Sequence, residues 1–295
     1  MDMIAYSRSE KVFNVFNICF MVLLLIVTVY PMLHILFGSI SDPKQLLQHS
    51  GLILKPMGID LQAYKIVLTT PSILNGFLNS LWYTAVGTSL SMLLTIMGAY
   101  VLSRKHLMLN GLLTFIVVFT MFFSGGLIPL YLQVKSLNLI GSRWAVILPY
   151  LVSTWNLIVM RTSFQGLPEG LIESAKIDGA NDFVTLFRIV VPLSMATIAA
   201  ISLFYAVGYW NDWFAASIYL KDRNDFPLQL FLREILIASQ VQEAAKSSAI
   251  SFDTDLYRTA IKYTTIIVST VPILLVYPFL QKYFVKGVLI GSIKG

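Results

Sequence analysis

Gly166 to Pro192 reads GLPEGLIESAKIDGANDFVTLFRIVVP, a polar island in a chain that is otherwise mostly apolar, and its punctuation specifies two short helices. Leu167-Pro168 places a proline at the first helical position. Glu169 and Glu173 put acid in the opening turns, and Gly179 stands where a left-handed C-cap belongs. Asn181 or Asp182 can then N-cap a second helix with Phe183, Leu186, Phe187 and Val190 at helical spacing, expected to stop just before Pro192. The product is an elbow hinged on glycine. Its first helix groups Leu171, Ile172 and Ala175 on one side with Glu173 and Lys176 flanking them, so a small apolar ridge framed by charge is offered to a socket on a partner.

The surroundings of the elbow are membrane. Of 295 residues, 57% are hydrophobic and only 12% charged, too apolar for a soluble domain of this size. Charge-free windows run over 12–41, 66–103, 106–134, 144–160, 189–211 and 263–281, and each can hold one span of about 20 residues. The expected architecture is therefore all-α with six transmembrane helices and both termini on one side. The first window is about twice the length of a signal-peptide apolar region and no small-x-small site follows it, so it is expected to stay as an anchor. Cys19 lies inside it, which excludes an intrachain disulfide. With the elbow inside, ten of the 21 Lys and Arg fall on the elbow side and eleven on the other. Discounting Lys55, Arg233 and Lys246, which are far from span ends, tilts the balance inward.

Three further stretches carry chemistry. Phe122 to Tyr131, FFSGGLIPLY, puts two glycines and a proline in a membrane window; a broken helix there is tolerated only where protein or a water-filled cavity satisfies the backbone, and Phe123 becomes a pathway candidate, with plain glycine packing as the alternative. Phe204 to Phe214, FYAVGYWNDWF, sets Tyr205, Tyr209, Trp210 and Asn211 together. Rings beside an amide suit a pyranose, although interfacial belts also collect Trp and Tyr. Between 221 and 262, Leu228, Phe231, Leu232 and Ile235 form an amphipathic stripe after Pro227, fit for a partner or for the outer leaflet. The segment from 41 to 75, with Pro43, Pro56, Gly58 and Pro71, reads as an external loop, and Asn79-Ser80 as the opening of the second span.

Other chemistries are excluded or disfavoured. No glycine precedes a lysine anywhere, so there is no phosphate-binding loop and no means of hydrolysing ATP. His34, His49 and His106 are too scattered for a metal site, and no paired carboxylates suggest an enzyme. An ion-coupled secondary transporter is the alternative, but no acid lies inside the six windows. The basic balance of +6 is no evidence for nucleic acid.

The elbow resembles the EAA loop of ABC-importer permeases. Glu173, Ala175, Asp178-Gly179-Ala180, Phe183, Ile189 and Pro192 match its pattern, with Ser174 where the first alanine is usual and Val191 where leucine often precedes the proline. From Asn75 onward the chain is similar to carbohydrate-uptake permeases of the maltose-importer (MalG-like) type. FSGGLIPLYLQVKSLNLIG and FPLQLFLREIL are similar to the branch importing complex oligosaccharides. The resemblance implies a type I ABC-importer permease fold in a single transmembrane domain over 1–295, with a core of about 75–284. It implies a multi-pass protein of the cell membrane with both termini cytoplasmic. The implied partners are a second, homologous permease, two ATPase subunits that bind the ATP, an extracellular solute-binding protein and a sugar or oligosaccharide; no cofactor is implied for this chain. Glu173, Ser174, Ala175, Asp178, Gly179, Ala180 and Phe183 would couple to the ATPase, and Phe123, Tyr205, Tyr209, Trp210 and Asn211 would line the substrate path.

Overall fold

The computed structural model describes residues 8–49, 51–104, 108–244, 257–275 and 278, all of them helix or connection without a strand. In chain order the helices are α1 (Arg8–Ile40), α2 (Pro43–Gln48), α3 (Gln62–Thr69), α4 (Pro71–Ser103), α5 (Asn110–Phe122), α6 (Leu127–Ser136), α7 (Trp144–Ile147), α8 (Thr154–Gln165) and α9 (Glu169–Ile177). There follow α10 (Asp182–Thr185), α11 (Val191–Leu193), α12 (Met195–Asn211), α13 (Phe214–Tyr219), α14 (Leu228–Ala244) and α15 over 257–275. The end of the sixth window, together with Lys105, His106, Lys246, Lys282, Lys286 and Lys294, lies outside the described residues.

Among the described residues two helices, α1 and α4, are long and apolar enough to cross a membrane unbroken. Three helix pairs are long and apolar enough only when taken together across a bend: α5 with α6 at 112°, the segment Trp144–Tyr150 with α8 at 49°, and Asp182–Leu193 with α12 at 87°. The sequence windows therefore find helices, but three of them are broken. At the first break Gly126 takes φ 87° and Phe123 is extended, as the Gly-Gly-x-x-Pro run leads one to expect.

The chain divides into two compact units. In the first (1–70 and 235–268), α1 buries none of its apolar window along most of its length and makes its contacts near its end. There Ser39 Oγ and Tyr64 OH lie 2.8 Å apart, and the Tyr263 hydroxyl stands 3.4 Å from His34 Nε2. Pro71 opens α4 rather than breaking a helix, because a proline at the first helical position forgoes only an N–H that has no partner there. The second span thus begins eight residues before the expected Asn79. That residue is instead buried, and its amide donates to the carbonyls of Asn224 (2.6 Å) and Phe226 (3.1 Å).

The second unit (71–234 and 269–295) is built on α4, which packs mainly on α8 and α12. Gly87 makes the close approach possible: a Cβ there would lie 2.7 Å from the Tyr209 ring. Ser91 Oγ pairs with Tyr209 OH at 3.0 Å and Thr95 Oγ1 with Tyr205 OH at 2.8 Å, so these two polar groups buried on α4 are satisfied from α12. At the far end of α4, Asp225 accepts Arg143 Nε at 2.7 Å while its carbonyl accepts the Tyr83 hydroxyl at 3.0 Å, pinning the loop that leads to α14.

Gly87→Val should lower the thermal unfolding temperature of the detergent-purified chain, at a cost of about 1–3 kcal/mol from overpacking. Gly208→Ala, at a helical glycine with open space around it, should hold or raise it by up to about 1 kcal/mol. A scan in which Gly87→Val melts no earlier than the parent would show that the α4–α12 contact is not set by this glycine.

Candidate functional site

The elbow forms from local signals. α9 starts at Glu169 with Pro168 one residue earlier than expected, as the N-cap in extended conformation (φ −57°, ψ 125°). Its far end is closed by a Schellman motif: Gly179 N–H donates to the Lys176 carbonyl (3.0 Å), Ala180 N–H to the Ala175 carbonyl (2.9 Å), and Gly179 sits at φ 81°. Asn181, rather than Asp182, caps the second helix by accepting Val184 N–H at 2.8 Å. That helix does not stop before Pro192. It widens into a π turn over Leu186–Val190 and runs through to Leu193. Pro192 has no N–H to return to Arg188, and a wider turn carries the chain past the missing bond.

The elbow's faces differ from the sequence expectation. Ile172 and Ala175 turn inward and are buried, so of the expected ridge only Leu171 remains exposed. The outward apolar surface is Leu171, Ile177 at 86% exposure and Phe183 at 64%, with Glu173, Ser174 and Asp178 exposed around it and Gly179 at the hinge. The root of the elbow is tied to the spans. Tyr100 OH donates to Asp182 Oδ1 at 3.1 Å, the Arg104 guanidinium lies 4.1 Å over the Tyr100 ring, Arg161 Nε donates to the Leu102 carbonyl at 2.9 Å, and Ser163 and Thr197 hydroxyls meet at 2.9 Å.

The second feature is a cleft of about 800 Å³ between the start of α8 and the end of α12, lined by residues that include Tyr150, Trp155, Asn156, Tyr205, Tyr209, Asn211 and Asp212. It gathers three of the five expected path residues. Trp210 turns away: it is 4% exposed and its Nε1 donates to the Ser269 carbonyl at 3.0 Å. Phe123 is exposed and stacks on Phe119 with ring centres 4.3 Å apart, outside the cleft lining. The hydroxyls of the two tyrosines are engaged: Tyr209 OH with Ser91 Oγ, and Tyr205 OH with Thr95 Oγ1 while it also accepts Ser153 N–H at 3.0 Å. Sequence reasoning missed Tyr150, Trp155 and Asn156; the only signal was a Trp-Asn pair where a charge-free window breaks after Pro149. Asp212 lies just past α12. Burial pushes its carboxyl above the ordinary carboxylate range, against the pull of the Ala215 and Phe214 N–H groups. The described residues hold no metal-binding group of His, Cys, Asp and Glu.

Bent apolar spans around a polar elbow and an aromatic cleft define a multi-pass membrane permease. A family model for the binding-protein-dependent transport system inner membrane component matches residues 3–290. The chain belongs to that family. It is 43% identical over 287 residues to the polygalacturonan/rhamnogalacturonan transport system permease protein YtcP of Bacillus subtilis (strain 168), covering 97% of this chain and 100% of that protein. Protein LplC of the same organism is 43% identical over 289 residues, covering 98% and 97%. Among solved structures, a bacterial ABC transporter involved in the import of the acidic polysaccharide alginate superposes with a TM-score of 0.85 at 29% identity, covering 96% of this chain and 100% of that one. The fold is therefore that of a type I importer permease, and the ion-coupled alternative is left without support.

Tyr205→Phe deletes the hydroxyl that both Thr95 and Ser153 N–H rely on, and should destabilise the protein by about 1–3 kcal/mol, read as an earlier melt in detergent. An unchanged melt would mean that water replaces the hydroxyl without cost.

Proposed function

We propose that this chain is one of two homologous permease subunits of an ATP-driven importer that takes up a sugar or oligosaccharide delivered by an extracellular solute-binding protein. Two ATPase subunits dock on the elbow, which faces the cytoplasm together with both termini, and the chain works as a single permease domain without an ATPase site of its own. Family membership supports the transport role. The sugar reading draws on the relatives' substrates and on an aromatic cleft that suits a pyranose.

The observation that carries the coupling role is the elbow itself. A capped, glycine-locked helix pair exposes Leu171, Ile177 and Phe183 between two broken spans while Asp182 at its root is hydrogen-bonded to Tyr100 on the unbroken α4. Glu173, Ser174, Ala175, Asp178, Gly179, Ala180 and Phe183 form this lever, with Ala175 and Gly179 fixing its shape and Glu173, Ser174, Asp178 and Phe183 on its surface. ATP-driven closure of the ATPases moves the lever, and the ties to α4, α8 and α12 convert that motion into alternating access. Tyr205, Tyr209 and Asn211 stand on the substrate side of the same spans.

In the assembled importer, Gly179→Val should strain the left-handed hinge by about 1 kcal/mol or more. Glu173→Ala should leave a basic group of the ATPase socket unpaired, at about 2–5 kcal/mol. Both variants should insert and pair with the sister permease yet lose ATPase subunits during detergent purification and hydrolyse ATP without uptake. Parent-like retention and transport in both would remove the lever role. The purified chain alone should show no ATP turnover.

A further inference from the structure

Resting on the sugar-import reading, we infer that this subunit reads the sugar itself, through a subsite made of Trp155 and Asn156 at the first turn of α8 and Asp212 at the end of α12. Three observations converge on it. The backbone is broken at this point: the span bends by 49° between Tyr150 and Thr154, and the freed Ser153 N–H is met by a tyrosine hydroxyl. Irregular backbone at membrane depth is tolerated where it is buried in protein or lines a water-filled cavity. Next, the Asn156 side chain lines the cleft at 6% exposure and its amide has no hydrogen-bond partner among the described residues. That amide opens to the cleft, where a ligand hydroxyl can take both its donor and its acceptor. Finally, Trp155 lies 59% exposed beside it, a free aromatic face next to a free amide.

The chemistry of the wall selects the ligand. Two amides, one carboxylate and several aromatic rings line the cleft, and among the described residues no Lys, Arg or His does. A carboxylate offers about four acceptor sites, and the N–H groups of Ala215 and Phe214 leave Asp212 with capacity for hydroxyl donors. The set fits a pyranose ring stacked by its C–H face on Trp155, with hydroxyls bonded to Asn156 and Asp212. A ligand recognised by its own carboxylate would require a cation that this wall lacks. The subunit therefore reads a hydroxyl edge of the passing saccharide.

The test uses the complete importer, co-purified with its sister permease, ATPases and binding protein and reconstituted in vesicles. The probes are labelled oligogalacturonides and neutral xylo-oligosaccharides, and the readout is sugar transported per ATP hydrolysed. Asn156→Leu and Trp155→Ala should each lower that ratio about tenfold, while the half-saturating sugar concentration, set by the external binding protein, stays unchanged. Trp155→Phe should restore most of the loss. Asp212→Asn keeps the Oδ1 acceptor for Ala215 N–H and should lower the ratio less than Asn156→Leu. If the Asn156 and Trp155 variants transport at the parent ratio, or lose uptake only in proportion to lost complex, these residues are packing and the inference is overturned. If the parent complex hydrolyses ATP but takes up neither saccharide, the sugar-import reading falls first, and the inference with it.

Discussion

Two tyrosine hydroxyls on α12 hold the larger unit in register: Tyr205 on Thr95 and Tyr209 on Ser91. Small residues on α4 let a neighbouring helix come close, and a polar one among them can also fix its register by a hydrogen bond. Gly87 and Ser91 do both. The glycine admits the Tyr209 ring and the serine takes its hydroxyl, so the apolar and the polar parts of one contact specify the same register. Everything functional is measured from this seam. The cleft lies on one side of it, where Tyr205 also accepts Ser153 N–H, and the elbow hangs from the spans that form it.

The elbow was legible because its rules are local. Proline before an acid-rich turn, glycine at the C-cap and Asn181 at the N-cap each act within five residues, and the hydrogen bonds follow the pattern that the sequence spells. Where the reading went astray, a local rule met a longer-range one. Pro192 ends an ordinary helix, but a π turn let this one continue. The expected ridge of Leu171, Ile172 and Ala175 is split, because which side of the helix stays exposed is decided by the protein behind it: Ile172 and Ala175 turned inward and Leu171 stayed out. Hydrophobic windows located the apolar helices in chain order but not their breaks, and among the described residues two unbroken spans and three bent pairs stand against the six expected. A 20-residue apolar stretch looks alike whether straight or bent, and only the Gly-Gly-x-x-Pro run at 125–129 announced its kink.

The cleft was half legible for the same reason. Tyr205, Tyr209 and Asn211 stand out as an aromatic-amide run on one helix, but a binding wall needs a second helix. The Trp155-Asn156 pair becomes meaningful only once α8 is placed against α12. Trp210 shows the converse. It sits between two cleft residues in sequence, but on a helix adjacent residues point about 100° apart, and its indole N–H goes to Ser269 instead.

The placement of the breaks also explains how so apolar a chain can move. A span that is hydrogen-bonded end to end transmits force but does not bend. α4 is such a rod, unbroken over 33 residues, with Tyr100 tied to Asp182 at one end and Asn79 and Tyr83 tied to the 224–226 loop at the other. The spans packed on it are bent, by 49° where α8 begins and by 87° where α12 begins. At the first of these breaks a tyrosine hydroxyl stands in for the missing backbone partner. At the second, Ser194 N–H is taken by the carbonyls of Val190 and Val191. Each bent span is thus a hinge whose broken bonds are already satisfied, so changing its angle need not expose an unpaired N–H to hydrocarbon. In the proposed coupling, one rigid helix against two hinged ones gives the elbow something to push and something to push against.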